Sequence, residues 1–182
     1  MTKVQSDILM SEAVEFVSVA TIFPDSPLWG WHFIVPEEIA TKFIDGTDRR
    51  VICRINEKLT INAALMPNKN FWFVMLNQKN IKTLGVQPET PIRIVMQKDQ
   101  SEFGMPVPEE FREVLDQDPQ AEKYFMSLTP GKKRTLLYLV GNVKNSDSRI
   151  RKSLAIADHL TVNNGQIDFK LLNEAFKAYN KM

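Results

Sequence analysis

Thr90-Pro91-Ile92-Arg93-Ile94-Val95-Met96-Gln97-Lys98 alternates, whereas Pro108-Glu109-Glu110-Phe111-Arg112-Glu113-Val114-Leu115, a short linker further on, does not. In the first stretch Ile92, Ile94 and Met96 fall on one face and Arg93 on the other, the period of a half-buried strand. In the second, Phe111, Val114 and Leu115 recur at the spacing of an amphipathic helix, and a proline followed by two acids is a helix start. Gln100 to Val107 lies between them and holds Gly104 and Pro106, a linker composition. The change of period divides the chain into a strand region, 1–104, and a helical region, 105–182. The fold class this predicts is α+β.

Before the division the pattern is of short strands. Val14 to Phe23 is β-branched and alternating, and Leu28 to Val35 follows the break Pro24-Asp25-Ser26-Pro27. Arg50 to Asn56 and Leu59 to Met66 flank Glu57-Lys58, which predicts a tight hairpin there. Pro67-Asn68-Lys69-Asn70 is a turn before a strand over Phe71 to Asn77. Two short helices interrupt the series, one opening at Pro36-Glu37-Glu38, the other over Gln78 to Leu84 with Gly85 as its stop. Six or seven short antiparallel strands in about a hundred residues predict a small, closed or nearly closed β-barrel, since closure removes exposed edges. Nine of the fourteen Phe and Trp residues precede Pro91, enough large rings to fill a barrel of that size.

After it, helix starts recur: Asp118-Pro119, Thr129-Pro130, Ser146-Asp147-Ser148 and Asp168, with a break at Asn163-Asn164-Gly165.

Composition removes many functions. The chain has 182 residues, 43% of them hydrophobic and 25% charged, with a net charge of +1. That excludes disorder, a long coiled coil and a uniformly basic nucleic-acid binder. Cys53 is the one cysteine, so no internal disulfide forms, and a cytoplasmic location is expected. Met1 to Val14 carries Asp7 and Glu12 and does not read as a secretory signal. The longest apolar runs are far short of a membrane span. His32 and His159 have no second ligand at metal-site spacing, so no metal and no cofactor are expected. Walker A, Gly-x-Gly-x-x-Gly, His-Glu-x-x-His and Gly-x-Ser-x-Gly motifs are all missing from the sequence.

Two longer patterns carry a resemblance. Val35-Pro36-Glu37-Glu38 after an aromatic strand, then Ile61-Asn62-Ala63, then Phe73 to Asn77 and a strand ending at Asp99, resembles a bacterial β-barrel domain of unknown function. Met105-Pro106-Val107-Pro108-Glu109-Glu110-Phe111, then Phe125-Met126-Ser127-Leu128-Thr129-Pro130-Gly131, then Arg149-Ile150-Arg151, is similar to the YdeI/OmpD-associated proteins, whose name links them to bacteriocin protection. The resemblance implies the barrel-plus-helices fold and supplies no catalytic residues. The chain departs from the barrel pattern at Ala63 and at Glu89-Thr90-Pro91, where the family often has glycine-containing turns.

Four groups of residues compete for a functional role. From Lys132 to Lys152 there are seven cations (Lys132, Lys133, Arg134, Lys144, Arg149, Arg151, Lys152) against Asp147, whereas Met105 to Gly131 has Arg112 and Lys123 against six acids. Either the first stretch is a basic surface for nucleic acid or an acidic partner, or the two stretches neutralise each other as neighbouring helices, the reading favoured here. Trp29, Trp31 and Phe33 share a strand face that forms either a ligand wall or barrel core, with core favoured. Arg54, Asn62 and Arg93 interrupt strand patterns. They face solvent, or they converge on an anionic small molecule. Cys53 reads as core, because Arg54 beside it points the other way. The function expected is a non-enzymatic binding protein with an unidentified protein or small-molecule partner, without membrane insertion. Nucleic-acid binding through the basic helices, and an enzyme or binder of a small anion in the barrel, are the alternatives.

Overall fold

The computed structural model describes residues 12–24 and 30–181. The N-terminal stretch to Ser11, the break from Asp25, and the strand start at Leu28 and Trp29 lie outside them. The chain forms two compact units, Met1–Gln100 and Ser101–Met182. The expected linker divides unevenly: Phe103 is buried in the core of the helical unit, so the chain from Ser101 packs with the helices.

The strand unit contains β1 (Val14–Ile22), β2 (Trp31–Val35), α1 (Glu37–Phe43), β3 (Arg50–Ile55), β4 (Leu59–Ala64), β5 (Met66–Pro67), β6 (Trp72–Met75), α2 (Gln78–Leu84) and β7 (Thr90–Lys98). The strands form one antiparallel sheet in the order β4-β3-β7-β1-β2-β6-β5. Its terminal strands, β4 and β5, follow one another in the chain with only Leu65 between them, and Leu65 is fully buried. The sheet therefore curls back towards itself as a partial barrel, which limits exposed edge. Its concave core holds Phe33, Val51, Cys53, Ile92, Ile94 and Met96, the inward members of alternating strands.

Turn chemistry sets the registers. The β3–β4 hairpin turns at Asn56 (φ 49°) and Glu57 (φ 57°), one residue earlier than the sequence suggests, with Lys58 N donating to Ile55 O at 3.0 Å. Two successive positive φ values match the strand twist, and asparagine tolerates them well. α2 is framed by Asn77 and Asn80, whose side chains accept from each other's backbone N–H, and by Gly85 (φ 66°).

The helical unit is α3 (Glu109–Gln117), α4 (Pro119–Ser127), α5 (Pro130–Gly141), α6 (Ser146–Val162) and α7 (Phe169–Tyr179). Asp118, Thr129, Asn145 and Asp168 cap four of them through side-chain oxygens. The α6 cap is Asn145 rather than a serine of the Ser146-Asp147-Ser148 run. The core gathers Phe111, Phe125, Leu136, Leu137, Ile156 and Leu160 from the inward stripes. Phe111 and Phe103 both meet Phe125 edge-on, with centroids 5.1 and 5.5 Å away.

Candidate functional site

Trp31 and Phe33 point into the barrel core, Phe33 with no exposed surface and Trp31 packed at its margin. Trp29 lies outside the described residues. The opposite face of β2 holds a second aromatic group that alternation alone does not reveal. There His32 is stacked on Phe23 (centroids 3.6 Å apart, planes 11°) and flanked by Phe71 and Phe73. His32 is 3% exposed, and its Nδ1 lies 3.3 Å from the Gly30 carbonyl, to which it can donate. Burial pushes the imidazole below its ordinary value, against the Gly30 bond and Glu89, which raise it.

Arg54 and Arg93 share the outer face of the sheet, opposite the core residues of β3 and β7. Arg93 is engaged from three sides. Its Nε and Nη2 donate to the two oxygens of Glu15 on β1 (2.7 and 2.9 Å), and Nη1 donates to Glu57 at the hairpin tip (2.9 Å). Asn56 accepts from the Arg93 backbone N–H at 2.8 Å and donates its own to the Arg93 carbonyl at 2.9 Å. The Glu15 carboxyl is held below its usual range, first by the Arg93 hydrogen bond, with a smaller attraction from Arg54. Asn62 donates to Asp99 at 3.0 Å, and Asp99 is 5% exposed. Arg93 and Asn62 are thus each joined to acids from other segments, whereas Arg54 forms no ion pair among the described residues.

The basic stretch of the helical unit is used differently. Arg149 is half-buried and spans the α5–α6 connection. It donates to the carbonyls of Val143 (2.8 Å) and Lys144 (3.1 Å) and to Glu110 of α3 (3.2 Å). Ser146 donates to the other Glu110 oxygen at 2.8 Å. Glu110 is held low by its own backbone N–H first, then by Ser146 and Arg149. Lys152 donates to the Leu139 carbonyl at 3.1 Å and stands 5.0 Å above the Phe176 ring, and Lys133 stands 5.6 Å above Phe103. Lys132, Arg134, Lys144 and Arg151 form no ion pair among the described residues. The acidic stretch thus neutralises the basic one at a single described contact, Arg149–Glu110. Lys132–Arg134 open α5, and Lys144 lies past its end at Gly141, which is roughly 14 Å from Lys132 at the helical rise of ~1.5 Å per residue.

The remaining reactive groups are enclosed. Cys53 is buried and its thiol is pushed up to about 12 by desolvation. His159 is 6% exposed and is pushed below its ordinary value by burial, with Asp168 opposing. Among the described residues no three His, Cys, Asp or Glu side chains gather as a metal site would need, and no helix is long and apolar enough to cross a membrane.

A family model described as "Bacteriocin-protection, YdeI or OmpD-Associated" matches residues 104–162. Over these residues the chain is similar to the YdeI/OmpD-associated family. The matched segment runs from just before α3 to the end of α6, so it holds every residue of the basic stretch and leaves α7 outside. The strand unit that precedes the YdeI/OmpD-associated segment has the curled antiparallel sheet expected of the barrel domain. No curated protein and no solved structure matches the chain.

Neither Glu110 nor the His32 ring cluster is singled out by sequence reasoning. Glu110 looks like an ordinary first-turn acid, and its link to Ser146 and Arg149 exists only through tertiary packing. The one available signal for the ring cluster is the two-residue spacing of Phe71 and Phe73, which puts both rings on one face of an extended segment.

Proposed function

We propose that this chain is a non-catalytic binding protein that meets an acidic protein partner through the cations of its YdeI/OmpD-associated segment. The observation that carries this reading is the crowding of unpaired cations into one short stretch. Arg93 in the strand unit is held between two carboxylates, while Lys132, Arg134, Lys144 and Arg151 have no carboxylate within ion-pair distance among the described residues. The first turn of α5 carries Lys132 and Lys133 and no acid. Cations there oppose the helix dipole by about 0.3–1 kcal/mol each, a cost that an anionic partner would relieve. The side chains best suited to nucleophilic or acid–base work support the non-catalytic half of the reading: Cys53, His32 and His159 are all enclosed. A lone buried thiol suits a cytoplasmic setting. The name of the family suggests that the partner belongs to bacteriocin or envelope stress.

Nucleic acid is the second reading, since the same cations would neutralise phosphates. The placing of these cations at opposite ends of α5 and the acids of α3 and α4 favour a protein of patterned charge over a uniform polyanion. The test is retention on heparin of the wild type and of the combined Lys132→Ala, Arg134→Ala, Lys144→Ala and Arg151→Ala variant. The wild type is expected to elute at higher salt than the variant, and equal elution overturns the proposal. A thermal-shift panel of nucleotides and short anions, run beside it, reads the small-anion alternative. A stabilising ligand whose effect is lost in Arg54→Ala/Arg93→Ala would replace the present reading.

A further inference from the structure

Both ring nitrogens of His159 face N–H donors. Nε2 accepts from the backbone N–H of Asp168 at 3.2 Å, and Nδ1 lies 3.2 Å from Nδ2 of Asn163. Asn163 is not free to turn its amide over, because Nδ2 also donates to the His159 carbonyl at 2.8 Å. Turning it would set two oxygens against each other. A neutral imidazole has one lone pair and therefore accepts at one of the two contacts in either tautomer. An imidazolium has none, and both contacts become donor against donor.

These contacts hold the connection between α6 and α7. Asn164 (φ 50°) and Gly165 (φ 80°) make the turn. Gly165 is tight against Tyr124 of α4, and a Cβ there would come within 2.7 Å of that ring. The N–H that His159 accepts belongs to Asp168, whose carboxylate caps α7 by accepting from Lys170 and Leu171. α7 in turn contributes Leu172 and Phe176 to the core.

We propose that His159 is an acid-sensitive latch: protonating its ring releases the turn and the N-terminal end of α7 from the YdeI/OmpD-associated segment. The surrounding charges leave little to offset this. Asp158, next along α6, accepts from the Tyr179 hydroxyl of α7, and that bond pushes the phenol up to about 12. From α4, Tyr124 donates to Asn164. From α3, Glu110 is taken by Ser146 and Arg149, and on the α5 side Lys152 is taken by the Leu139 carbonyl and the Phe176 ring. Asp168 is the one charged side chain felt at the imidazole among the described residues. Its carboxylate favours the imidazolium, but less than burial disfavours it. The inference does not depend on the proposed binding surface.

Hydrogen exchange of the full chain, corrected for the intrinsic effect of pH, tests it. Protection of the amides from Asp168 through the first half of α7 should fall severalfold between about pH 7.5 and about pH 5, with α3 to α5 unchanged. His159→Gln places a non-titrating carbonyl oxygen near Nε2 and should keep protection at both pH values. No loss in the wild type, or an equal loss in His159→Gln, overturns the latch. Should that variant fail to fold, the wild type decides through nuclear magnetic resonance. The Asp168 amide shift should titrate with the midpoint of the His159 ring, and an amide that ignores that midpoint overturns the proposal.

Discussion

Arg93 of the strand unit and the basic stretch of the helical unit carry charge in opposite ways. In the strand unit alternation places Arg93 on the outer face, where β1 and the β3–β4 tip each supply a carboxylate. In the helical unit seven cations crowd between Lys132 and Lys152, and a single ion pair to a carboxylate, Arg149–Glu110, is formed there among the described residues. The difference follows from geometry. A sheet brings residues from distant parts of the chain into lateral register, so a charge readily meets its opposite. A helix presents charges three and four residues apart along its own axis, and this stretch offers Asp147 alone as a local partner. Arg93 and Lys98 of the first unit are absorbed by the fold. In the basic stretch of the second, Lys132, Arg134, Lys144 and Arg151 form no ion pair among the described residues.

The comparison can be strained in order of effect. Phe33→Ala in one unit and Phe111→Ala in the other should each cost about 3–5 kcal/mol in denaturant unfolding, because both rings are fully buried. A cost much below that in either would mean that its core is less well packed than described.

Arg149→Ala should cost about 1–3 kcal/mol, since the carbonyls of Val143 and Lys144 lose their donor and Glu110 its partner. Lys132→Ala and Lys144→Ala should stay within about 0.5 kcal/mol. Equal costs for the three would erase the distinction between cations used by the fold and cations left over.

Acidification should weaken both units. Burial lowers the folded-state values of His32 and His159 beneath that of an unfolded histidine, about 6.5. The unfolded chain then binds protons first, so stability present above about pH 6.5 declines as pH falls through that value towards the folded ones. Melting temperatures at about pH 7.5 and about pH 5.5 should show the decline, and His32→Phe with His159→Gln should flatten it. A rise in stability on acidification would have the wrong sign.

Arg93→Ala belongs with the small effects. Its three hydrogen bonds are at an exposed surface, so the loss should be slight at low salt and vanish at high salt. A large, salt-independent loss would show that the outer-face clamp does more than a surface pair does.

Much of the architecture was legible from periodicity and punctuation. β7 runs over Thr90–Lys98 as its alternation predicts, and α2 stops where Gly85 supplies a left-handed residue. The hairpin tip was misplaced by one residue, because Asn56 and Glu57 take positive φ without a glycine to mark them. The site was less legible. That Arg93 stands between Glu15 and Glu57 depends on the β1–β7 register and the neighbouring hairpin, residues far apart in sequence. The split of the basic stretch into fold-bound Arg149 and Lys152 and unpaired Lys132, Arg134, Lys144 and Arg151 depends on which carbonyls and rings lie nearby. Composition carries no such information.

The most direct measurement is the salt dependence of heparin binding, compared between two variants. Loss of Lys132, Arg134, Lys144 and Arg151 should flatten the slope of log K against log salt, while Arg54→Ala/Arg93→Ala should leave it as in the wild type. A slope unchanged by the helical substitutions, or flattened by those on the sheet, would contradict the assignment of binding to the helical unit.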